Sequence, residues 1–204
     1  GWNVGCEKSR QGYPRIYFSG NNLDGDQYHE IVSELEYLAQ HRLGKQEQFR
    51  VLLVPISKSG TTLETLAAFT YFYERCQKSS LLQLEVAVVT DLAEGASPLC
   101  SLAKERSWPC FDIKEGIGGR FCIFSDPGLI TAAAIGMDIE AFLHGAKDME
   151  MACRSASLEE NPALLNAALK YTAAEQGLDI EVFMPYAAKM KSVGEWYVQL
   201  LAES

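Results

Sequence analysis

Through the first half of the chain, short apolar runs alternate with longer segments in which apolar residues recur every three or four positions. Short apolar runs are typical of buried strands, and the three-to-four spacing is typical of amphipathic helices. Strands that alternate with helices form parallel sheets covered by helices. The sequence therefore predicts an α/β fold, a three-layer αβα arrangement with a mainly parallel sheet, followed by a helical segment.

Four apolar runs are the predicted strands of this sheet. In chain order they are RIYFSG (15–20), VLLVPI (51–56), LEVAVVT (84–90) and CFDI (110–113). VLLVPI is nearly all apolar, as expected for a central strand that is buried on both faces. Pro55 has no N–H group, so the hydrogen-bond ladder is expected to stop there.

The predicted helices lie between these strands and make up most of the remaining chain. The first carries Tyr28, Ile31, Val32, Leu35 and Leu38 and ends near Gly44; the next runs from about 62 to 77; a third begins at Ser97-Pro98. Of the later helices, one carries an apolar stripe over 139–149, the next begins at Asn161-Pro162, and the last covers 189–204. EVFMPY (181–186) is a further candidate strand. We therefore expect an N-terminal extension (1–14), an α/β domain (15–127) and a helical continuation (128–204).

Charge and composition argue against several classes of protein. The net charge of −9 and the absence of a Lys/Arg-rich run argue against nucleic-acid binding. No run approaches the roughly 20 apolar residues of a membrane span, and the first residues do not resemble a signal peptide. The cysteines lack CxxC spacing and the histidines lack metal-ligand partners, which predicts a reduced, cytoplasmic protein with no metal site. The cysteines are Cys6, Cys76, Cys100, Cys110, Cys122 and Cys153.

The segment ISKSGTTLET (56–65) lies where the second predicted strand ends and a helix begins. Ligands of open α/β sheets bind at this end of the strands. The N–H groups of the first helical turn and the helix dipole favour an anion, and Gly60 would let the backbone approach it closely. The hydroxyls of Ser57, Ser59 and Thr62 add neutral donors. This chemistry suits the phosphate monoester of a small metabolite.

The same segment has a second interpretation as a helix cap. The sequence TTLE (61–64) matches a capping box, in which a threonine hydroxyl and Glu64 satisfy backbone N–H groups. Serine and threonine favour such positions whether or not a ligand binds. Local chemistry alone leaves both interpretations open.

Three segments resemble one known family. SKSGTTLET (57–65) resembles the phosphosugar-binding loop of sugar isomerase (SIS) domains, in the form typical of the phosphoglucose isomerase family. GGRF (118–121) with FSDPGLITAAAIGM (124–137) resembles the family's GGRFS segment and the helix behind it. EWYVQLLAES (195–204) resembles the helix that carries the catalytic base. The resemblance covers about 14–204 and implies a flavodoxin-like SIS domain.

The resemblance also implies a reaction and a set of site residues. Family members interconvert glucose 6-phosphate and fructose 6-phosphate in glycolysis and gluconeogenesis, as aldose–ketose isomerases that work without a cofactor and as homodimers. By resemblance Glu203 is the base and Arg120 stabilises the enediolate. The residues expected to bind the substrate are Ser57, Lys58, Ser59, Thr62, Gly119 and Gln199.

Several family features are not found in this sequence. Residues 1–14 contain no Gly-Gly-Ser loop, whose strand would lie between RIYFSG and VLLVPI in the sheet. The ring-opening histidine and a C-terminal lysine would lie beyond Ser204, and Cys122 occupies the serine position of GGRFS. We therefore expect an internal fragment of a bacterial-type enzyme that lacks its first strand and has little or no activity by itself.

Two other classes of function remain open at this stage. One is a regulatory module that binds a phosphosugar without chemistry, and the other is a structural or interaction domain whose serine-rich cap binds nothing. Without the resemblance, Glu203 is an ordinary solvated carboxylate, Arg120 a surface arginine and Lys58 a charge at the rim. The Gln199 and Glu203 pair distinguishes an enzyme from a regulatory module, because a sensor has no need of a base.

Overall fold

The structure is a computed structural model that describes residues 12–42 and 49–203. Residues 1–11 and the expected helix end at Gly44 lie outside the described residues. The chain divides into two compact units, of which the first extends to Gly136 and the second begins at Met137. The predicted boundary at 127/128 falls within a helix of the first unit, Asp126–Ala134.

The strands of the first unit are short and parallel. They are β1 (Phe49–Leu53), β2 (Leu82–Val86), β3 (Val88–Thr90) and β4 (Cys110–Asp112). β1 pairs with β2 from Phe49↔Leu82 onward, and β3 pairs with β4 from Val88↔Cys110 onward. An isolated parallel bridge between Ile56 and Val89 connects the two pairs. The predicted α/β class with a parallel sheet is confirmed, and the layering is that of an αβα domain.

The predicted strand 84–90 is divided at Ala87. The Ala87 N–H donates to Leu53 O at 3.1 Å, and the Val88 N–H donates to Pro109 O at 2.8 Å. Successive residues of this segment therefore bond to opposite sides, as expected for a chain that lies between β1 and β4. The expectation that Pro55 stops the ladder is wrong. Pro55 O accepts from Val89 N at 3.0 Å, because proline lacks only the donor and keeps its carbonyl.

The helices of the first unit pack against these strands. They are α1 (Gly25–Arg42), α2 (Leu63–Lys78), α3 (Pro98–Arg106) and α4 (Asp126–Ala134). In α3 the side chain of Ser97 accepts a hydrogen bond from Cys100 N, so the predicted N-cap is confirmed. Tyr28 and Phe72 join α1 to α2 in one apolar cluster, while Phe69 joins α2 to α3 in another. This packing fixes α2, and therefore the loop that precedes it.

The prediction that 51–56 is buried on both faces is wrong. Side chains alternate along β1, and Leu52 is 55% exposed. Arg50 Nη2 pairs with Glu85 Oε1 at 2.8 Å on the same exposed face. In the described residues α1 and α2 pack only against the face of β1 that carries Phe49, Val51 and Leu53. The opposite face, with Arg50 and Leu52, contacts solvent.

The segment RIYFSG (15–20) is not a strand in the structure. A strand is defined by its ladder, and no described strand pairs with this segment. Its side chains make contacts instead: Arg15 Nη1 bonds Glu34 Oε1 at 2.6 Å, and Tyr17 packs against the cluster formed by α1, α2 and the start of β2. Gly20 ends the segment beside the first turn of α2.

The helices of the second unit are α5 (Ile139–Ala152), α6 (Pro162–Glu175) and α7 (Lys191–Glu203). The side chain of Asn161 accepts from Leu164 N, which confirms the predicted cap of α6. The candidate strand EVFMPY (181–186) is irregular, and it is held by side chains. The Phe183 and Tyr197 rings are 5.1 Å apart, and the Tyr197 hydroxyl donates to Glu181 Oε1 at 2.6 Å.

A charged network in this unit predicts a pH dependence of stability. Lys170 Nζ lies 2.8 Å from Glu181 Oε1 and also contacts the Tyr197 hydroxyl. Hydrogen bonds from Lys170 and then Tyr197 lower the pKa of Glu181, and those to Glu181 and then Tyr197 raise the pKa of Lys170. The carboxylate contribution is complete above the ordinary glutamate value of 4.5 and is lost as the pH falls through the lowered pKa. The ammonium contribution is lost only as the pH rises through the raised pKa of Lys170.

We expect Glu181→Gln to destabilise this chain near neutral pH and to make little difference at acid pH. The measurement is urea unfolding of both proteins across a pH series from neutral pH to well below 4.5. Glu159 is an exposed glutamate of the same unit, and Glu159→Gln is the control. The pH dependence of its free energy of unfolding should match that of the unmodified chain. A stability difference that stays constant as the pH falls would contradict this role of Glu181.

Within residues 12–42 and 49–203, we find no helix that combines the length and apolar character needed to traverse a lipid bilayer.

Candidate functional site

The segment 56–62 is a loop between β1 and α2, at the carboxyl ends of the parallel strands. The Ser57 N–H donates to Val89 O at 3.0 Å, which joins the loop to β3. This is the position that the sequence predicts, where the first turn of a helix meets the end of a sheet. The described part of the chain contains no group of three or more His, Cys, Asp or Glu side chains able to hold a metal.

The hydroxyl groups of the loop form two sets. Ser57 is buried, and its Oγ accepts from Gly60 N at 3.2 Å and shares a hydrogen bond of 3.0 Å with Thr62 Oγ1. Ser59 is exposed, and its Oγ accepts from the Thr61 hydroxyl at 2.9 Å and the Thr61 N–H at 3.2 Å. Ser59, Thr61 and Thr62 are therefore the exposed hydroxyls, while Ser57 supports Thr62 from behind. Thr61 is absent from the predicted site, although its hydroxyl is exposed and bonds Ser59.

The predicted capping box is wrong. α2 starts at Leu63, so Thr62 is the N-cap, one residue later than the box requires. Thr62 makes no side-chain hydrogen bond to the first turn, because its hydroxyl bonds Ser57 instead. Glu64 then lies at the second helical position, where its charge still favours the positive end of the helix dipole. The start of α2 keeps N–H groups that Thr62 does not cap.

The packing of the loop requires a glycine at position 60. Its φ is +64°, in the left-handed region that disfavours residues with a Cβ. A Cβ at Gly60 would lie 2.0 Å from Ser97 Oγ and 3.0 Å from Leu99 Cβ. The missing side chain therefore makes room for the start of α3, and the loop packs directly on that helix.

Lys58 connects this loop to the segment that carries Arg120. Lys58 Nζ donates to Ile117 O at 3.3 Å, one residue before the Gly118-Gly119 pair. Gly119 begins a 3-10 helix, Gly119–Phe124, in which the Arg120 guanidinium lies 5.8 Å from the centre of the Phe121 ring. The first unit thus places the predicted phosphate loop and the loop of Arg120 side by side.

Cys122 preserves the hydrogen bonding of this second loop. Its Sγ donates to Gly119 O at 2.8 Å, a bond that a serine hydroxyl also makes. Burial raises the pKa of the Cys122 thiol and so favours the protonated donor. Cys122 therefore closes this turn with a side-chain hydrogen bond of its own.

Gln199 and Glu203 lie one turn apart on α7 in the second unit. Gln199 Nε2 donates to Glu203 Oε2 at 3.5 Å, and both residues are exposed. The two side chains share one helix face, as their spacing predicts.

Comparison with known proteins gives a consistent result. The sequence profile described as "Phosphoglucose isomerase" matches residues 20–204. The chain is 33% identical over 201 residues to a probable glucose-6-phosphate isomerase of Methanococcus maripaludis, covering 98% of this chain and 42% of that protein. It is 31% identical over 201 residues to a glucose-6-phosphate isomerase of Methanocaldococcus jannaschii, covering 98% of this chain and 49% of that protein. The chain spans less than half the length of these relatives.

The fold is also similar to a solved structure. The crystal structure of a hypothetical protein from Thermus thermophilus matches with a TM-score of 0.71 and 28% sequence identity. The match covers 90% of this chain and 41% of that one. A likeness of this extent supports the same layered α/β architecture.

Proposed function

Because this chain belongs to the phosphoglucose isomerase family, we propose that the protein carrying it interconverts glucose 6-phosphate and fructose 6-phosphate. The observation that supports this most directly is the pairing of two loops in the first unit. Lys58 joins a loop of exposed hydroxyls at a strand end to the loop that carries Arg120. A loop of exposed hydroxyls suits a phosphate group, and a loop that carries an arginine suits a sugar on which negative charge develops.

The phosphate would bind at the start of α2. Ser59 and Thr62 supply exposed hydroxyls, and the first helical turn supplies N–H groups and the positive end of the dipole. Ser57 holds the Thr62 hydroxyl in place, and Lys58 adds positive charge. The phosphate does not react, so its binding energy would serve to orient the reacting carbons.

The proton transfer would use the residues of α7. Glu203 would take the proton from one carbon of the sugar phosphate and return it to the adjacent carbon, through an enediolate. Gln199 would hold the carboxylate by its hydrogen bond and contact the substrate. Arg120, with Gly119 beside it, would stabilise the negative charge of the enediolate. No redox change occurs, because isomerisation only relocates a proton and a carbonyl.

The rest of the proposal follows the family. We expect a cytoplasmic homodimer of glycolysis and gluconeogenesis that uses no cofactor, with 15–127 as the phosphosugar-binding domain and 128–204 as the helical continuation that carries the base. Since the chain spans 42% of its Methanococcus maripaludis relative, we expect the chain by itself to bind ligand but to turn over little substrate.

Ligand binding is tested by thermal unfolding of this chain with 6-phosphogluconate. A ligand at about 100 times its Kd should raise the midpoint by about 5 °C or more, because it binds only the native state. Ser59→Ala combined with Thr62→Ala should remove most of this shift, since both exposed hydroxyls are lost. Ser33→Ala, an exposed serine of α1, is the control and should keep the full shift.

Two results would contradict the proposed site. The first is an unmodified chain whose midpoint does not move with 6-phosphogluconate. The second is a double variant that retains the full shift, which would locate the ligand elsewhere on the chain.

A further inference from the structure

Thr90 is a buried polar residue that contacts the phosphate loop from behind. It ends β3 and has no exposed surface, 0%. Its Oγ1 donates to Ser57 O at 2.7 Å and lies 3.3 Å from Lys58 O. The same Oγ1 shares a hydrogen bond of 2.6 Å with Ser97 Oγ. A buried hydroxyl with three polar contacts indicates a specific role, since burying such a group is costly unless it is hydrogen-bonded.

The hydrogens in this cluster have one consistent arrangement. A threonine hydroxyl carries a single hydrogen, and the carbonyl oxygen of Ser57 can only accept, so the Thr90 hydrogen points to Ser57. Ser97 must then donate its own hydrogen to Thr90 Oγ1, and Ser97 Oγ accepts from Cys100 N at 3.4 Å. The result is a directed chain of hydrogen bonds from the cap of α3 to the loop.

This chain of bonds determines which way the loop backbone faces. The carbonyl of Ser57 points inward to Thr90, and the carbonyl of Lys58 points inward to the N–H of Asp91 at 3.2 Å. In a planar trans peptide the N–H points opposite to the C=O. The N–H groups of Lys58 and Ser59 therefore face outward, where two successive amides form a concave site for an anion.

We propose that Thr90 and Ser97 are positioning residues for phosphate binding, which turn the carbonyls of Ser57 and Lys58 away from the ligand. This inference rests on the proposed function and adds residues that act only through the loop. Neither side chain would touch the substrate, because both lie beneath the loop: Thr90 is fully buried and Ser97 is 2% exposed. Without the Thr90 hydroxyl, the carbonyl of Ser57 would keep only the longer hydrogen bond from Gly60 N, at 3.3 Å, and could rotate toward the anion.

The test compares Thr90→Val, which removes the hydroxyl at nearly constant volume, with Thr90→Ser, which keeps it. The affinities for 6-phosphogluconate and for inorganic phosphate are measured by titration calorimetry, at a temperature where circular dichroism shows each variant folded. We expect Thr90→Val to weaken 6-phosphogluconate binding about tenfold and Thr90→Ser to stay within about threefold of the unmodified chain.

Thr131→Val is the matched control for this comparison. Thr131 Oγ1 also donates to a backbone carbonyl, that of Pro127 in α4, at 3.2 Å. This control should leave the affinity for 6-phosphogluconate unchanged. A purely structural role for Thr90 predicts lower stability with the same affinity in the folded protein, so affinity rather than the unfolding midpoint decides the question.

The outcomes separate this inference from the proposed function. If the unmodified chain binds 6-phosphogluconate and Thr90→Val binds it equally well, the positioning role is wrong while the proposed phosphate site stands. If the unmodified chain does not bind the probe, both are wrong. Should Thr90→Val not fold, Ser97→Ala decides, since it removes the donor to Thr90; we expect a loss of about threefold, and an unchanged affinity would overturn the inference.

Discussion

Gly60→Ala is expected to lower the free energy of unfolding of this chain by about 2–4 kcal/mol. Two separate costs contribute. The backbone at Gly60 has a φ of +64°, which is unfavourable for a residue with a Cβ. The new methyl group would also lie 2.0 Å from Ser97 Oγ, far inside van der Waals contact. The expected result is a lower midpoint in urea unfolding and weaker binding of 6-phosphogluconate, because the loop must move away from α3.

Gly95→Ala separates the two costs. Gly95 also has a positive φ, +74°, but nothing lies within 4 Å of its would-be Cβ. This variant should lose only about 1–2 kcal/mol, the cost of the left-handed backbone conformation. If Gly60→Ala lost no more stability than Gly95→Ala, the contact between the loop and Ser97 would have no steric consequence, and the loop would not pack closely on α3.

Glu203→Gln is expected to lower kcat about a thousandfold in the protein that carries this chain. Glutamine has nearly the same size and keeps the contact with Gln199, but it cannot accept the proton that isomerisation moves. KM for glucose 6-phosphate should change much less, because the phosphate loop is unaltered. Initial rates from a coupled assay that detects fructose 6-phosphate, across a range of substrate concentrations, give both constants.

Glu195→Gln is the matched control on the same helix. It removes the same charge two turns earlier, where Glu195 pairs with Lys191 at 3.5 Å on the surface. Its kcat should stay within about twofold of the unmodified enzyme, since exposed pairs contribute little. Full activity in Glu203→Gln would exclude this carboxylate as the base. A protein that binds 6-phosphogluconate but has no activity before any substitution would favour the regulatory module.

Local signals predicted the helices well because their causes are local. Ser97 and Asn161 accept hydrogen bonds from N–H groups three residues further on, and proline follows each of them, so a short stretch of sequence contains the whole interaction. Gln199 and Glu203 meet for the same reason, since four residues make about one turn. The position of the loop 56–62 also followed from the order of strand and helix.

The strands were harder to predict because pairing is a long-range property. RIYFSG and EVFMPY have the composition of strands, yet neither has a ladder partner among the described residues. Thr90 illustrates the same limit for the site. A threonine that ends an apolar run looks like an ordinary strand residue, and its contact with Ser57 depends on how two distant parts of the chain fold together.

The uncapped start of α2 has a thermodynamic consequence. Thr62 gives no side-chain hydrogen bond to the first turn, so an anion bound there would supply the acceptor that the Thr62 side chain does not provide. Order in that turn and occupancy of the site would then be linked. Fraying of the turn would weaken anion binding, and the free energy lost would equal the free energy by which the bound anion stabilises the turn.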